Sequence, residues 1–98
     1  MVVDIYCLFN FEPKGIKSGF LCKPSNTVRE IIVQILRITK SIMDYSSESI
    51  MVTYYSKILN KDKILDMPLS KVLKCIDLKN KFFSISVIET RQVVGGFM

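Results

Sequence analysis

The sequence predicts an α+β fold in which a mixed sheet of four to five strands packs on one main α-helix. Three observations predict it: one long segment has helical periodicity, segments on both sides of it alternate with a two-residue apolar period, and 49% of the 98 residues are hydrophobic. A chain of this length has room for one hydrophobic core. Because about half of the helix circumference is apolar, the helix needs a large apolar partner, which a sheet provides.

The predicted main helix covers Thr27 to Met43, with the sequence TVREIIVQILRITKSIM. On a wheel with about 100° per residue, its apolar residues fall on one broad face and its charged residues on the other. Thr27 and Glu30 have the spacing of a capping box, in which each side chain bonds the backbone N–H of the other residue. The start of the helix is therefore well marked in the sequence.

Two strands that form a hairpin are predicted before the helix. Val2 to Phe9 alternates, and the residues of its inward face are Val3, Ile5, Cys7 and Phe9. Asn10 to Gly15 contains the Asn, Pro and Gly that are typical of loops, and Ile16 to Cys22 resumes the extended pattern. Lys23 to Asn26 then forms a turn that leads into the capping box.

More strand and turn signals follow the helix. After a polar loop at Asp44 to Ser49, Ile50 to Tyr55 is predicted as a strand with Ile50, Val52 and Tyr54 on one side. A very short strand at Ile58-Leu59 follows. The charged stretch from Asn60 to Lys63 then indicates a turn.

The last third of the chain is less regular. Pro68 is expected to begin a short helical turn, whose predicted core contacts are Leu69, Val72, Leu73 and Ile76. Phe82 to Ile88 is predicted as the final strand. Its inward residues are expected to be Phe83, Ile85 and Val87, with Ser84, Ser86 and Ile88 outside.

Composition argues against several classes of function. The three cysteines, Cys7, Cys22 and Cys75, are far apart and there is no histidine, so we expect no disulfide framework, no metal and no cofactor. No nucleophile-base pair or Gly-rich phosphate loop is recognisable, and Asp62 and Asp66 are interpreted as turn and surface residues, so no enzyme is expected. No stretch approaches the ~18 apolar residues of a membrane span and no signal peptide is evident, which predicts a cytoplasmic or nuclear protein without a membrane partner.

The net charge of +5 raises the question of an acidic partner. The lysines concentrate in two groups, which are Lys57, Lys61 and Lys63, and then Lys71, Lys74, Lys79 and Lys81. Such a surface can attract nucleic acid or an acidic protein. Because no aromatic-interleaved basic motif accompanies these lysines, a solvated surface is the favoured interpretation, and nucleic acid is not an expected partner.

The element order and several local motifs resemble the ubiquitin fold, or β-grasp, over residues 2 to 96. Lys23 to Glu30 resembles the Pro-Ser-Asp-Thr-Ile-Glu entry to the ubiquitin helix. Ser56 to Leu59 resembles the Gly-Lys-Gln-Leu turn after the third strand, and Leu69-Ser70 resembles the Leu-Ser of the following helical turn. The resemblance implies a ubiquitin-like domain over residues 1–89 and a C-terminal tail over 90–98.

The tail itself resembles the Gly-Gly ending of ubiquitin-like modifier precursors. Gly95-Gly96 is followed by Phe97-Met98, which such precursors lose by proteolysis. Paired glycines make a slim arm that a narrow enzyme channel admits. The resemblance implies a protein modifier that is conjugated through Gly96, whose partners are a processing protease and activating and conjugating enzymes, with no small-molecule substrate.

Two departures from the family pattern concern partners. The outward positions that carry the apolar patch of ubiquitin are occupied here by Thr53, Ser84 and Ser86, so that patch is missing. Arg91 also lies four residues before Gly95 rather than three. Partners of ubiquitin itself are therefore not expected, and the activating enzyme stays open.

Other residues favour two alternative functions. Tyr6, Leu8 and Leu21 are predicted to cluster on the outer face of the hairpin, framed by Asp4 and Lys17, either as a partner site or as scattered surface residues. This surface fits a ubiquitin-like interaction domain that is never conjugated.

The positions of Lys17, Lys23, Arg29, Arg37 and Lys40 resemble the basic residues with which Ras-binding domains dock small GTPases. Lys57 matches a chain-forming lysine of ubiquitin by the same resemblance.

Overall fold

A computed structural model of the protein describes residues 3–12, 15–40 and 50–90. The elements, in chain order, are β1 (Ile5–Phe11), β2 (Ile16–Cys22), α1 (Val28–Lys40), β3 (Ile50–Tyr54), β4 (Lys57–Ile58), α2 (Asp62–Leu65), α3 (Leu69–Val72), α4 (Cys75–Asn80) and β5 (Phe82–Glu89). The strands form one sheet in the order β2-β1-β5-β3-β4. Only the pairing of β1 with β5 is parallel among these strands. The predicted α+β class is confirmed, and the mixed sheet, predicted with four to five strands, has five.

The capping box starts α1 as the sequence predicts. The Thr27 N–H donates to the Glu30 carboxylate at 2.8 Å, and the Glu30 N–H donates to the Thr27 hydroxyl at 3.2 Å. The buried face of the helix consists of Val28, Ile31, Ile32, Ile35 and Thr39. The predicted last turn, residues 41–43, lies outside the described residues.

The predicted first hairpin is present, but its strand limits differ in part. Ile5 pairs with Cys22 and Phe11 with Ile16, so β2 has the predicted bounds and β1 continues to Phe11. The loop predicted from Asn10 onwards is wrong for Asn10 and Phe11, because Phe11 also pairs with Val87 of β5 and is buried. Val3 lies before the first paired residue, and its 42% exposure corrects its predicted inward position.

The inward residues of the later strands are confirmed. Ile50, Val52 and Tyr54 of β3 are buried, as are Phe83, Ile85 and Val87 of β5. Tyr55 was predicted as part of the third strand, but it has a φ of 55° and leaves the sheet. The short strand β4 is one residue earlier than predicted, and β5 is one residue longer.

The segment between β4 and β5 contains more helix than predicted. The predicted turn at Asn60 to Lys63 is wrong in its second half, because α2 begins at Asp62. The helical turn after Pro68 is confirmed as α3, and Leu69, Val72 and Leu73 are buried. Ile76, the fourth expected core contact, is 54% exposed because it lies in α4, a helix with no buried residue.

The core lies between the inner face of the sheet and α1. Its largest fully buried side chains are Tyr54, Phe9, Phe11 and Phe83. The segment around α3 closes one end of this core, because the Val28 N–H donates to the Met67 carbonyl at 3.0 Å and the Leu69 N–H to the Asn26 carbonyl at 2.9 Å. The opposite face of the sheet does not pack on α1, and it carries the exposed side chains of Tyr6, Leu21 and Phe82. None of the helices described is long and apolar enough to span a membrane.

Candidate protein-interaction surfaces

Three exposed apolar side chains form one row across the sheet face opposite α1. The register places Tyr6 of β1 opposite Leu21 of β2 on one side and opposite Phe82 of β5 on the other. Their exposures are 64% for Leu21, 38% for Tyr6 and 42% for Phe82. The rings of Tyr6 and Phe82 are nearly parallel, at 9°, with centroids 6.0 Å apart. We call Leu21, Tyr6 and Phe82 the outer-face patch.

Leu8, the third residue of the predicted cluster, lies in the next row of the same face. It pairs with Gly19 of β2 and Ser84 of β5, and it is half-buried. Gly19 has no side chain and the Tyr6 hydroxyl lies over it. The structure therefore brings the predicted residues together, with Leu8 as a flank of the outer-face patch and not its centre.

Polar residues occupy the middle of this sheet face, as the sequence predicts. Thr53 pairs with Ser86 across β3 and β5, and Ser84 is exposed two residues earlier on β5. The Ser86 hydroxyl donates to the Glu12 carboxylate at 3.1 Å. Along β5, Ser84 and Ser86 thus separate the outer-face patch from Met51 and Ile88, which pair across β3 and β5 on the same face and are half-buried.

The charges predicted to frame the patch have different roles. Asp4 forms an ion pair with Lys23 at 3.4 Å, and both side chains are about half exposed. Lys17 pairs with Asn10 in the sheet, four residues along β2 from Leu21, which is roughly 13 Å in an extended strand. Asp4 and Lys23 therefore form a polar rim beside the patch, whereas Lys17 lies apart from it.

The polar face of α1 holds the basic residues considered for GTPase binding. Arg29 donates to both carboxylate oxygens of Asp66, at 3.0 Å and 3.4 Å, and so joins α1 to the loop after α2. This contact lowers the pKa of Asp66 below its ordinary value, because Arg29 hydrogen-bonds the carboxylate and carries the opposite charge. Arg29 is thus committed to an internal contact, although an exposed ion pair is weak enough to exchange partners.

An open groove of about 400 Å³ runs between β2 and α1. Arg29 and Arg37 line it together with Leu21 and Val33. Lys40 is exposed at the end of α1. The five basic residues named from the sequence are therefore not assembled on one surface, since Lys23 is paired with Asp4 and Lys17 is outside the lining of the groove.

Three predicted functional residues remain. Lys57 is exposed in β4 and lines a cleft beside the β3–β4 turn. Gly95 and Gly96 lie outside the described residues, and the last strand ends at Glu89. The tail therefore stays a prediction from sequence.

The cysteines differ in accessibility. Cys7 and Cys22 are buried and Cys75 is exposed. Burial raises the pKa of Cys22 to about 11, and the nearby charge of Asp4 adds to this rise. Within residues 3–12, 15–40 and 50–90, no group of three or more Cys, Asp or Glu is arranged to hold a metal ion.

Phe82 is the member of the patch that the sequence analysis missed. The alternation that places Phe83 inward also places Phe82 outward, so this signal was readable. Its contact with Tyr6 was not readable, because it depends on the parallel pairing of β1 with β5. Sequence pattern thus gave the direction of the side chain and not its neighbour.

No protein-family model matches this chain, and no curated protein matches its sequence. Among solved structures, the chain is similar to the C-domain of the Hsp90 co-chaperone Cns1 from Saccharomyces cerevisiae. The TM-score is 0.63 at 10% sequence identity, and the alignment covers 96% of this chain and 64% of that one. At this identity the similarity concerns the fold alone.

Proposed function

We propose that this chain is a ubiquitin-like β-grasp domain that acts by binding other proteins. The strand order β2-β1-β5-β3-β4, with β1 parallel to β5 and α1 between β2 and β3, supports the resemblance seen in the sequence. The capping box at the start of α1 supports it locally. A fold hosts many functions, so the binding role rests on the surface and not on the fold.

The outer-face patch is the observation that carries this proposal. It offers two stacked aromatic rings and an exposed leucine, with Asp4 and Lys23 at its rim. Aromatic residues are enriched at the centres of interfaces, where they bury a large area at a small cost in conformational entropy. Polar groups at the rim add specificity and not bulk affinity. The arrangement suits a small interface with another protein.

A matched pair of variants tests this function. Leu21→Asp places a charge in the patch, and Ile76→Asp does the same at a residue of α4 that is 54% exposed. We expect proteins recovered with the tagged wild-type chain from its own cells to be lost with Leu21→Asp and kept with Ile76→Asp, as measured by quantitative mass spectrometry. Equal recovery with both variants would count against the outer-face patch.

The second candidate is conjugation through Gly96 after removal of Phe97-Met98. Gly95 and Gly96 come six and seven residues after Glu89, the last residue of β5, and they lie outside the described residues. In this mechanism the carboxylate of Gly96 reacts with ATP to form an acyl adenylate and pyrophosphate, and an enzyme cysteine then displaces AMP to form a thioester. Higher-mass adducts of an N-terminally tagged chain are expected to disappear with Gly96→Ala and to persist with Val93→Ala. Failure to find either adducts or cleavage after Gly96 would remove this candidate.

Binding of a small GTPase is the third candidate. Among the described strands β2 lies at the edge of the sheet, where a strand of another protein could pair with it, next to the groove that contains Arg29 and Arg37. Arg29 would have to leave Asp66 to contact a partner. A pull-down with GTP-loaded small GTPases tests this, with Arg29→Glu expected to abolish the binding.

A further inference from the structure

A second surface lies at the other edge of the sheet, beside the turn that joins β3 to β4. An open cleft of about 530 Å³ is lined there by Tyr54, Tyr55, Ser56, Lys57, Val72 and Lys74. We call it the turn cleft. It contains no residue of the outer-face patch, so nothing argued about it rests on the function proposed above.

The rim of the turn cleft is positively charged. Lys57 and Lys74 are exposed, and the Lys74 ammonium lies 4.0 Å from the centre of the Tyr55 ring. The surrounding segment, residues 57–81, has seven lysines against three aspartates.

One of these aspartates, Asp77, accepts a hydrogen bond from the buried Tyr54 hydroxyl. A second, Asp66, is paired with Arg29. Among the described side chains, neither Asp66 nor Asp77 forms an ion pair with Lys57 or Lys74.

The floor of the turn cleft is apolar. Tyr54 and Val72 lie beneath it with exposures of 2% and 5%. The Tyr54 hydroxyl is turned inward, because it accepts from the Lys74 N–H at 2.8 Å and donates to Asp77. Only the carbon surface of these two residues is offered at the floor. The cleft thus combines cations at its edge with an apolar base.

Tyr55 has a backbone conformation that its side chain does not favour. Its φ of 55° lies in the left-handed region, where glycine is least strained and a bulky residue is an outlier. The Tyr55 ring is 60% exposed, packs at 76° on Tyr54 with centroids 4.7 Å apart, and carries Lys74 against it. The turn alone gives no reason for a tyrosine here. Strained residues of this kind concentrate at binding sites.

We propose that the turn cleft binds a short segment of another protein in which Asp or Glu residues flank an apolar residue. The carboxylates would contact Lys57 and Lys74, and the apolar side chain would rest on Tyr54 and Val72. A nucleic acid fits less well, since stacking needs a free ring face, and Tyr55 is already in contact with Lys74 and Tyr54. Charge complementarity and the apolar floor together select an acidic peptide.

A displayed library of random twelve-residue peptides is a suitable probe. We expect selection on the wild-type chain to enrich peptides with several Asp or Glu residues around a Leu, Ile or Phe. The selected peptides should bind at least tenfold more weakly to the double variant Lys57→Glu, Lys74→Glu, as measured by fluorescence anisotropy. Enrichment of peptides without acidic residues would overturn the proposal. Equal enrichment of acidic peptides on the wild-type chain and on the double variant would overturn it as well.

Tyr55→Gly separates binding from folding, because glycine relieves the strained backbone while removing the ring. We expect this variant to remain folded by circular dichroism and to bind the selected peptides at least tenfold more weakly. Lys81→Gly is the matched control for the backbone change, because Lys81 also has a positive φ, of 56°, and this variant removes a positive charge outside the turn cleft. Lys81 is not part of the turn cleft, so its variant should bind as the wild type does.

Two further outcomes would place the binding elsewhere. If Leu21→Asp abolishes binding of the selected peptides and Tyr55→Gly does not, the peptides bind at the outer-face patch, which would overturn the proposal. Tighter binding of a ten-nucleotide single-stranded DNA than of any selected peptide would assign the turn cleft to nucleic acid, which also overturns it. Binding that depends on Tyr55, Lys57 and Lys74 and weakens with salt supports it.

Discussion

The side chain of Tyr6 lies across Gly19 on the outer face of the sheet. A Cβ atom at Gly19 would overlap the Tyr6 hydroxyl, and it would also lie 2.8 Å from the Cys7 carbonyl oxygen. On its other side Tyr6 stacks on Phe82. The ring that centres the outer-face patch is therefore held between a residue with no side chain and a second ring, which fixes its orientation before any partner binds.

Gly19→Ala should displace this ring and destabilise the fold. The added methyl group has no space beside Tyr6 or the Cys7 carbonyl, and overpacking of this kind typically costs about 1–3 kcal/mol. Urea denaturation measures the cost, and the near-ultraviolet circular dichroism of the aromatic rings reports the displacement. In a Tyr6→Ala background the same change should cost less. An unchanged unfolding midpoint for Gly19→Ala would contradict the close packing described here.

Asn60 extends the pairing of β3 through its side chain. Its amide oxygen accepts from the Val52 N–H at 3.0 Å, and its amide nitrogen donates to the Ile50 carbonyl at 2.9 Å. Asn60→Ala leaves both backbone groups unpaired, so we expect a loss of about 1–3 kcal/mol in the free energy of unfolding. Asn10→Ala removes only an exposed hydrogen bond to Glu12, and its effect should stay within about 0.5 kcal/mol. Equal losses in the two variants would refute the role given to Asn60.

Tyr54 ties β3 to α4 through its hydroxyl. Burial, and the hydrogen bond that it donates to Asp77, raise the pKa of Tyr54 above its ordinary value. Tyr54→Phe keeps the ring in the core but leaves the Lys74 N–H and the half-buried Asp77 carboxylate without this partner. We expect a destabilisation of about 1–3 kcal/mol in chemical denaturation. Tyr6→Phe, at a residue that is 38% exposed, is the control and should change stability by less than about 0.5 kcal/mol.

The capping box makes stability depend on acidic pH. The Thr27 N–H, and then the Asn26 side chain, hold the pKa of Glu30 below its ordinary value of 4.5 by hydrogen bonding the ionised carboxylate. The pKa of Glu30 is therefore lower in the folded chain than in the unfolded one. The stabilisation from the ionised carboxylate is complete at pH values above the ordinary pKa of 4.5. It is lost as the pH falls through the lowered pKa of the folded chain.

Glu30→Gln should therefore flatten the decline in unfolding free energy as the pH falls below 4.5. Denaturation curves at a series of acidic pH values measure this slope. The residual slope of the variant should include the contribution of Asp66, whose pKa is lowered by Arg29, and high salt should reduce that part. Identical slopes for the variant and the wild type would show that the capping box is not the source.

The three cysteines should react at very different rates in the native protein. Cys75 is exposed, whereas Cys7 and Cys22 are buried in the core. Burial also raises the pKa of both core thiols, so little of the reactive thiolate forms at neutral pH. With Ellman's reagent we expect rapid modification of Cys75 alone, and of all three after denaturation. Rapid native reaction in Cys75→Ser would contradict this assignment.

The candidate surfaces could be predicted only in part. The alternation along the hairpin correctly placed Tyr6 and Leu21 on the outer face, and the same pattern was sufficient to place Phe82 there. It could not show that Tyr6 stacks on Phe82, that Arg29 is paired with Asp66, or that Tyr55 turns out of the sheet. Each of these depends on a contact with a residue distant in sequence or on the geometry of a turn between paired strands.

The sequence by itself determined the start of α1, the bounds of β2 and the inward residues of β3 and β5. These features depend on hydrogen bonds within a few residues or on a two-residue period, and both can be read along the chain. Tertiary structure alone decided that β1 and β5 lie side by side, that Ile76 is exposed, and that lysines and a strained tyrosine gather around one cleft. The reason is that burial and charge at a surface are properties of neighbours in space, which the order of the chain does not specify.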